Sequence, residues 1–154
     1  MRSTVSDSVD VMKKLDGISD QDVLFMYRRV VCYWETHEKP SFRITTGGFL
    51  EYCCDKKIQL KAVKKKAMAV VSVRPSNDWA QYVIYYHDAS SQPASLLKRL
   101  RNATAHCNMA KKKIGRRWFY CFTDYDGAGN CTMVAKIGNP NLRQFVEHLL
   151  QTRI

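Results

Sequence analysis

Arg101 and His106, with four residues between them, have the side chains of this sequence that best fit a catalytic role. Histidine exchanges protons near neutral pH, so His106 could act as a general acid or base. Arg101 carries a permanent charge and a planar fork for phosphate oxygens, and it could stabilise a charged transition state. Asn102 could orient the imidazole or hydrogen-bond a phosphate. These residue types suit RNA cleavage without a metal, in which the 2′-hydroxyl is the nucleophile.

The element that must position these side chains is predicted to be a helix. Four residues recur at helical spacing and can share one buried face, namely Leu96, Leu100, Ala103 and Cys107. At about 100° per residue, Asn102 and His106 share a polar face, whereas Arg101 lies about 140° from His106. A kink, the reach of the arginine or a second subunit would therefore have to bring Arg101 and His106 together.

The string Arg101-Asn-Ala-Thr-Ala-His106, on a predicted helix with leucines before it, resembles the Arg-Asn-x-x-x-His signature of the HEPN superfamily. Its members are small helical domains, commonly dimers, and many are metal-independent ribonucleases of toxin–antitoxin and antiphage systems. The alignment covers residues 93–110. The resemblance implies a homodimer whose composite cleft holds two copies of Arg101 and His106, an RNA substrate and a possible antitoxin or inhibitor protein.

Composition predicts one globular domain over residues 1–154, since 45% of the residues are hydrophobic and 11% are aromatic. No apolar run approaches the roughly 20 residues that span a bilayer. The first residues also lack the apolar core of a signal peptide. These features predict a cytoplasmic protein without a membrane partner. Six cysteines show no C-x-x-C pair and no ligand spacing, so we expect reduced, mostly buried thiols, no metal site and no cofactor.

The net charge of +11 is unevenly distributed along the chain. Residues 1–38 hold five bases and seven acids, a net charge of −2, whereas residues 39–154 hold twenty bases and seven acids, a net charge of +13. Such a basic domain is typical of a protein that binds a polyanion, although a solvated basic surface is the simpler alternative. The bases expected to hold an RNA backbone around the motif are Lys98, Arg99, Lys111, Lys112, Lys113, Arg116 and Arg117.

Periodicity predicts a mainly α fold, a HEPN-like helical bundle with a C-terminal β-hairpin followed by a final helix. The hairpin is expected at about 117–137, where two β-rich runs flank a glycine-containing loop. Residues 78–90 fit a helix, but their strand propensity leaves the assignment open. Helices are expected in the segments 1–17, 19–37, 49–54, 57–73 and 93–107 and after Asn141.

The sequence therefore predicts a metal-independent endoribonuclease, a toxin or antiphage effector that acts through Arg101, Asn102 and His106 in a dimer cleft. One alternative is a noncatalytic HEPN-like module that binds RNA or nucleotides or that dimerises. A second alternative is a DNA-binding regulator that uses the basic surface, although the sequence shows no clear helix-turn-helix.

Overall fold

A five-stranded mixed β-sheet forms the centre of the fold. The computed structural model describes residues 14–37, 40–66, 77–88 and 91–154. The strands are β1 (Ile58–Val63), β2 (Gln81–Tyr86), β3 (Met109–Ile114), β4 (Arg117–Tyr125) and β5 (Cys131–Gly138), and they lie in the order β1-β2-β5-β4-β3. Strands β1 and β2 are parallel, and the other pairs are antiparallel. Every residue of the central strand β5 is buried.

Two of the described helices begin at a serine that caps them. Helix α1 (Asp20–Met26) continues through a π-helical turn (Tyr27–Val31) into α2 (Cys32–Thr36), and α3 (Phe49–Asp55), α4 (Gln92–Ala105) and α5 (Leu142–Leu150) follow. The Ser19 hydroxyl accepts a hydrogen bond from the Asp22 amide at 3.1 Å, which caps α1. Ser91 caps α4 by accepting from the Ala94 amide at 3.3 Å, and Pro93 occupies the first turn.

Helix α4 packs one apolar face into the core. Its Leu96, Leu97 and Leu100 are fully buried, and α4 packs against the π-helical turn, β4 and β2. Burying each leucine stabilises the fold by about 1.5–3 kcal/mol relative to an exposed one. Helices α3 and α5 pack against each other, and α3 also contacts β1. One face of α4, the helix that carries the motif, therefore packs in the core, and its other face makes polar contacts.

The prediction of a mainly α helical bundle is wrong, because segments rich in lysine form strands. Residues 58–63 were expected within a helix, yet Ile58, Leu60 and Ala62 alternate toward the core in β1. Strand β3 holds the run Lys111–Lys113, whose charges hide the alternation that marks a strand. The segment 78–90, which fitted either element, contains strand β2 at Gln81–Tyr86.

Other expectations about the elements are confirmed. The hairpin predicted at about 117–137 corresponds to β4 and β5, and a helix follows it. The helices predicted at 19–37 and 49–54 are also present, the first with its π-helical turn. The helical predictions for residues 1–13 and 67–73 lie outside the described residues. Within the described ranges, no helix is both long and apolar enough to cross a bilayer.

Candidate nucleic-acid interface

The predicted catalytic string lies across the end of α4 and not in the middle of a helix. Helix α4 stops at Ala105, His106 is its C-cap residue, and Cys107 has a positive φ of 60°. The Cys107 amide donates to the Thr104 carbonyl at 3.1 Å, and the Asn108 amide donates to the Ala103 carbonyl at 2.7 Å. This is a Schellman ending, which glycine usually makes. A cysteine at this position gives no sequence signal for a helix end.

Arg101 is directed toward α2, where a carboxylate binds it. Its Nε donates to Glu35 Oε1 at 2.8 Å, and a second guanidinium nitrogen contacts the same oxygen. Its third nitrogen donates to the Asn102 side-chain oxygen at 3.1 Å. Glu35 therefore neutralises the charge that was expected to bind phosphate. The Asn102 oxygen is engaged by Arg101 and does not orient His106.

His106 lies on the surface at the end of α4. Its backbone amide donates to the Asn102 carbonyl at 3.0 Å, the last hydrogen bond of the helix. In the part of the chain that the structure describes, its imidazole makes no hydrogen bond or ion pair. The structure therefore leaves His106 accessible but does not bring it together with Arg101 within one chain.

Arg99, a predicted RNA contact, is buried within a polar cluster. Its guanidinium lies 2.7 Å from Asp88 Oδ2 and 3.5 Å from Asp124 Oδ2, and it packs 5.4 Å from the centre of the Tyr86 ring. Thr132 donates a second hydrogen bond to Asp124 Oδ2, at 2.7 Å. Lys98, another predicted contact, pairs with Asp88 at 3.2 Å. The helix cations are thus bound by carboxylates.

The bases of β3 and β4 have different neighbours, namely aromatic rings. Lys111 Nζ lies 5.8 Å from the centre of the Trp118 ring and 5.2 Å from that of Tyr120. Lys113 Nζ lies 6.0 Å from the centre of the Trp118 ring. The strand register explains these contacts, since it pairs Lys111 with Tyr120 and Lys113 with Trp118. Trp118 is 44% exposed, so the indole and the ammonium groups share an open surface.

The opposite face of the same hairpin carries a second tryptophan. The Arg117 guanidinium lies 4.6 Å from the centre of the Trp79 ring, and the Trp79 indole N–H donates to the Ile114 carbonyl at 3.1 Å. Gly115 has a φ of +64° in the turn between β3 and β4, and a Cβ there would lie 3.2 Å from Trp79 Nε1. Glycine is therefore needed both for the turn and for the docking of Trp79. Lys112 faces this side too, since it pairs with the opposite-facing Phe119.

We name the first of these two regions the hairpin surface and define it as Lys111, Lys113, Arg116 and Trp118. It contains three of the seven predicted RNA contacts, and Arg116 is exposed in its turn. Sequence reasoning missed Trp118, because its position in a β-rich run suggested only a strand. The missed signal is a tryptophan, which is rarely left exposed, beside five bases in the seven residues 111–117.

The sequence favours a core position over base stacking for the tyrosines between residues 82 and 86. Tyr85 is 1% exposed in the core, and burial raises the pKa of Tyr82 to about 12. The exposed indoles of Trp79 and Trp118 offer accessible ring surface instead.

The six cysteines are all free thiols. Cys53 and Cys131 are buried and Cys32 and Cys54 exposed, so the expectation of mostly buried thiols holds only in part. Across the described ranges, no group of three or more potential metal-ligating side chains is found. Comparisons with family models, curated proteins and solved structures find no match for this chain. The HEPN resemblance therefore stays a prediction, whereas the helical bundle that it implied is wrong.

Proposed function

We propose that this protein binds single-stranded RNA through the hairpin surface. The observation that carries the proposal is the placement of Lys111 and Lys113 around the half-exposed indole of Trp118. A strand of RNA offers the two complementary groups, since its phosphates attract ammonium groups and its unpaired bases stack on an aromatic ring.

The exposed indole favours single strands over duplexes. Bases in a duplex are stacked on their neighbours, so an aromatic side chain can reach only bases that are already unpaired. Base–aromatic stacking of this kind is worth about 1–3 kcal/mol per base. The net charge of +11 supplies a sequence-independent attraction that brings the strand to the surface.

A bland explanation accounts for the lysines but not for the tryptophan. Strand β3 is an edge of the sheet, and lysines on an edge strand discourage pairing with other chains. That purpose gains nothing from an exposed Trp118, which adds apolar surface beside the edge. The combination of the two residue types supports recognition of RNA over simple protection of the edge.

The test is fluorescence anisotropy with a labelled, unstructured RNA of about 12 nucleotides, within the ~4–16 nucleotides that one OB fold covers. Trp118→Ala should weaken binding by about tenfold, which corresponds to about 1.4 kcal/mol. Lys113→Gln should lower the slope of log affinity against log salt by about 1. Tyr27→Ala is the matched control, because Tyr27 is a 50% exposed aromatic residue on the helical turn and should change affinity less than about twofold.

Two outcomes of that titration would overturn the proposal. The first is an equal loss of affinity in Trp118→Ala and Tyr27→Ala, because binding would then not depend on the hairpin surface. The second is equal affinity for RNA and duplex DNA, which would favour the DNA-binding regulator. A single-stranded DNA of the same sequence measures how much the 2′-hydroxyl contributes.

The endoribonuclease remains a second candidate, and the exposure of the His106 imidazole favours it. Because Arg101 is bound by Glu35, cleavage would need a cation from elsewhere, such as the partner in the predicted homodimer. The test incubates wild type and His106→Ala with labelled RNA in EDTA, with the mass in solution measured in parallel. Cleavage by the wild type alone, leaving a 2′,3′-cyclic phosphate, is the expected result. Cleavage by both proteins, or by neither, contradicts the role of His106.

An antitoxin or inhibitor protein belongs to this second candidate alone. Such a partner would hold a ribonuclease inactive, so its removal should start cleavage in the EDTA assay. Co-purification of the chain from its native cells, followed by mass spectrometry, would identify it.

A further inference from the structure

A basic cleft lies beside the hairpin surface, on the other face of β4. Its volume is about 400 Å³, which is within the range of about 300–1,000 Å³ typical of small-ligand sites. It is bounded by the end of α3, the start of β2 and the start of β4. The lining residues that matter here are Lys56, Lys57, Trp79, Gln81 and Arg117. Every charged side chain among the described lining residues is basic, so the cleft suits an anion.

Lys57 occupies a strained backbone position at this cleft. Its φ is +57°, and its amide donates to the Cys54 carbonyl at 3.1 Å, directly after the end of α3. Left-handed backbone costs a residue with a Cβ about 1–2 kcal/mol, and glycine is the usual residue at such helix ends. Strained backbone positions cluster at active sites and ligand clamps. A lysine here places a second ammonium group beside that of Lys56.

The walls of the cleft are held in place before any ligand binds. Gln81 Oε1 accepts from the Gly138 amide at 2.8 Å and from the Asn141 side chain at 2.9 Å. Its Nε2 donates to the Lys56 carbonyl at 2.8 Å, which ties the lysine pair to the sheet. Trp79 is fixed by its hydrogen bond to Ile114 while 46% of it stays exposed. Preorganised walls reduce the entropy lost on binding.

Strand geometry joins the cleft to the hairpin surface. Arg117 and Trp118 are neighbours on β4, so their side chains point to opposite faces of the sheet. A chain of nucleotides that stacks on Trp118 and passes the Gly115–Arg116 turn would reach Trp79 and the two lysines. An internal phosphodiester brings one negative charge into the cleft, whereas a terminal phosphate monoester brings up to two.

We propose that this cleft binds the phosphorylated terminal nucleotide of the RNA strand. The terminal phosphate would lie among Lys56, Lys57 and Arg117, and the base would contact the exposed part of the Trp79 ring. This inference rests on the proposed RNA binding by the hairpin surface, and it adds selection for strands that end in a phosphate.

The test compares three internally labelled RNAs of one sequence that carry a 5′-phosphate, a 3′-phosphate or hydroxyls at both ends. Wild type should bind one phosphorylated form about fivefold more tightly than the hydroxyl form, and which form it is identifies the end that enters the cleft. Lys57→Gly should abolish this preference, because it should lower the affinity for phosphate-ended RNA more than the affinity for hydroxyl-ended RNA. Its melting temperature should not fall, because glycine relieves the strained backbone. Lys64→Gln, a change at an exposed lysine outside the cleft, should retain the preference.

The outcomes separate this inference from the proposal on which it rests. Equal binding of all three RNAs by wild type would overturn the terminal-phosphate site and leave RNA binding by the hairpin surface intact. A preference that survives in Lys57→Gly would overturn the site as well. Trp118→Ala should weaken binding of all three RNAs by the same factor. Failure of wild type to bind any RNA would overturn both proposals together.

Discussion

Helix α4 and the β3–β4 hairpin are both rich in cations, yet they use them in opposite ways. Arg99 and Arg101 on the helix contact carboxylates, Asp88 and Asp124 for the first and Glu35 for the second. Lys111 and Lys113 of the hairpin instead contact the faces of aromatic rings. A carboxylate cancels the charge of its partner, whereas an aromatic ring orients a cation and leaves its full charge for a ligand. The neighbours of a base therefore decide whether it can bind phosphate.

The difference between the cations of α4 and those of the hairpin is largest at Arg99, because Arg99 is buried. Its side chain is 6% exposed and that of Asp124 is 2% exposed, so neither charge is screened well by water. Burial alone would raise the pKa of Asp88, but hydrogen bonds from Lys98 and Arg99 outweigh it and hold that pKa below its ordinary value. The low pKa of Asp88 therefore depends on Lys98 and Arg99 together, and Arg99 also pairs with the buried Asp124. In contrast, Lys111, Lys113 and Trp118 are not needed to stabilise a buried charge.

The sharpest test of this comparison is Arg99→Met, which should have the largest effect on stability. Removing the cation leaves the buried Asp124 carboxylate without its partner, a change that costs about 3–5 kcal/mol at buried ion pairs. Lys98→Met is the matched control, because Lys98 shares Asp88 but is 39% exposed, and it should cost less than about 1 kcal/mol. Urea denaturation gives both free energies of unfolding.

The double variant Arg99→Met/Asp124→Leu shows whether the loss comes from the stranded carboxylate. We expect it to be more stable than Arg99→Met alone, since apolar replacement of both partners of a buried pair is often tolerated. A cost below about 1 kcal/mol for Arg99→Met would contradict the structural role of this arginine. It would then return Arg99 to the predicted RNA contacts.

Helices α1, α4 and α5 could be predicted from local signals. Ser19 and Ser91 each precede a helix and cap it, and the apolar residues of α5 recur at helical spacing and are all buried. The β4–β5 hairpin was also predictable, since Asp126 and the following glycines supply turn chemistry. In these elements the local preference and the tertiary environment agree.

Strands β1 and β3 could not be predicted, because pairing within the sheet decided their conformation. In β3, Lys111 and Lys113 lie on the same face as the core residue Met109, but neither of them is buried. A lysine can therefore occupy a core-facing register position and still reach water. No pattern of apolar residues reveals that arrangement. The prediction of a mainly α fold was wrong in the segments where charged side chains hide the alternating pattern of a strand.

The candidate site was only half predictable for a related reason. The basic residues 111–117 indicated a polyanion and lie where the hairpin surface forms. The motif string did not show that Glu35, distant in sequence, contacts Arg101. Nor could it show that Trp79 docks against Gly115. Such contacts join segments far apart in the chain, and a short motif contains no information about them.

The smallest predicted effect is that of Arg101→Gln, and it tests the other half of the comparison. The Arg101 side chain is 31% exposed and Glu35 is 51% exposed, so water screens their attraction and its loss should cost less than about 1 kcal/mol. RNA affinity should also change less than about twofold, because Glu35 already neutralises this charge. Lys113→Gln, which removes one charge from the hairpin surface, should lower RNA affinity at low salt in the same anisotropy assay.

Glu35→Gln separates the two possible reasons for a weak effect of Arg101→Gln. If the carboxylate is what keeps Arg101 from RNA, Glu35→Gln should raise affinity slightly, and the double variant should return it to the wild-type value. A tenfold loss of affinity in Arg101→Gln would break the comparison and assign the end of α4 to the RNA-binding surface.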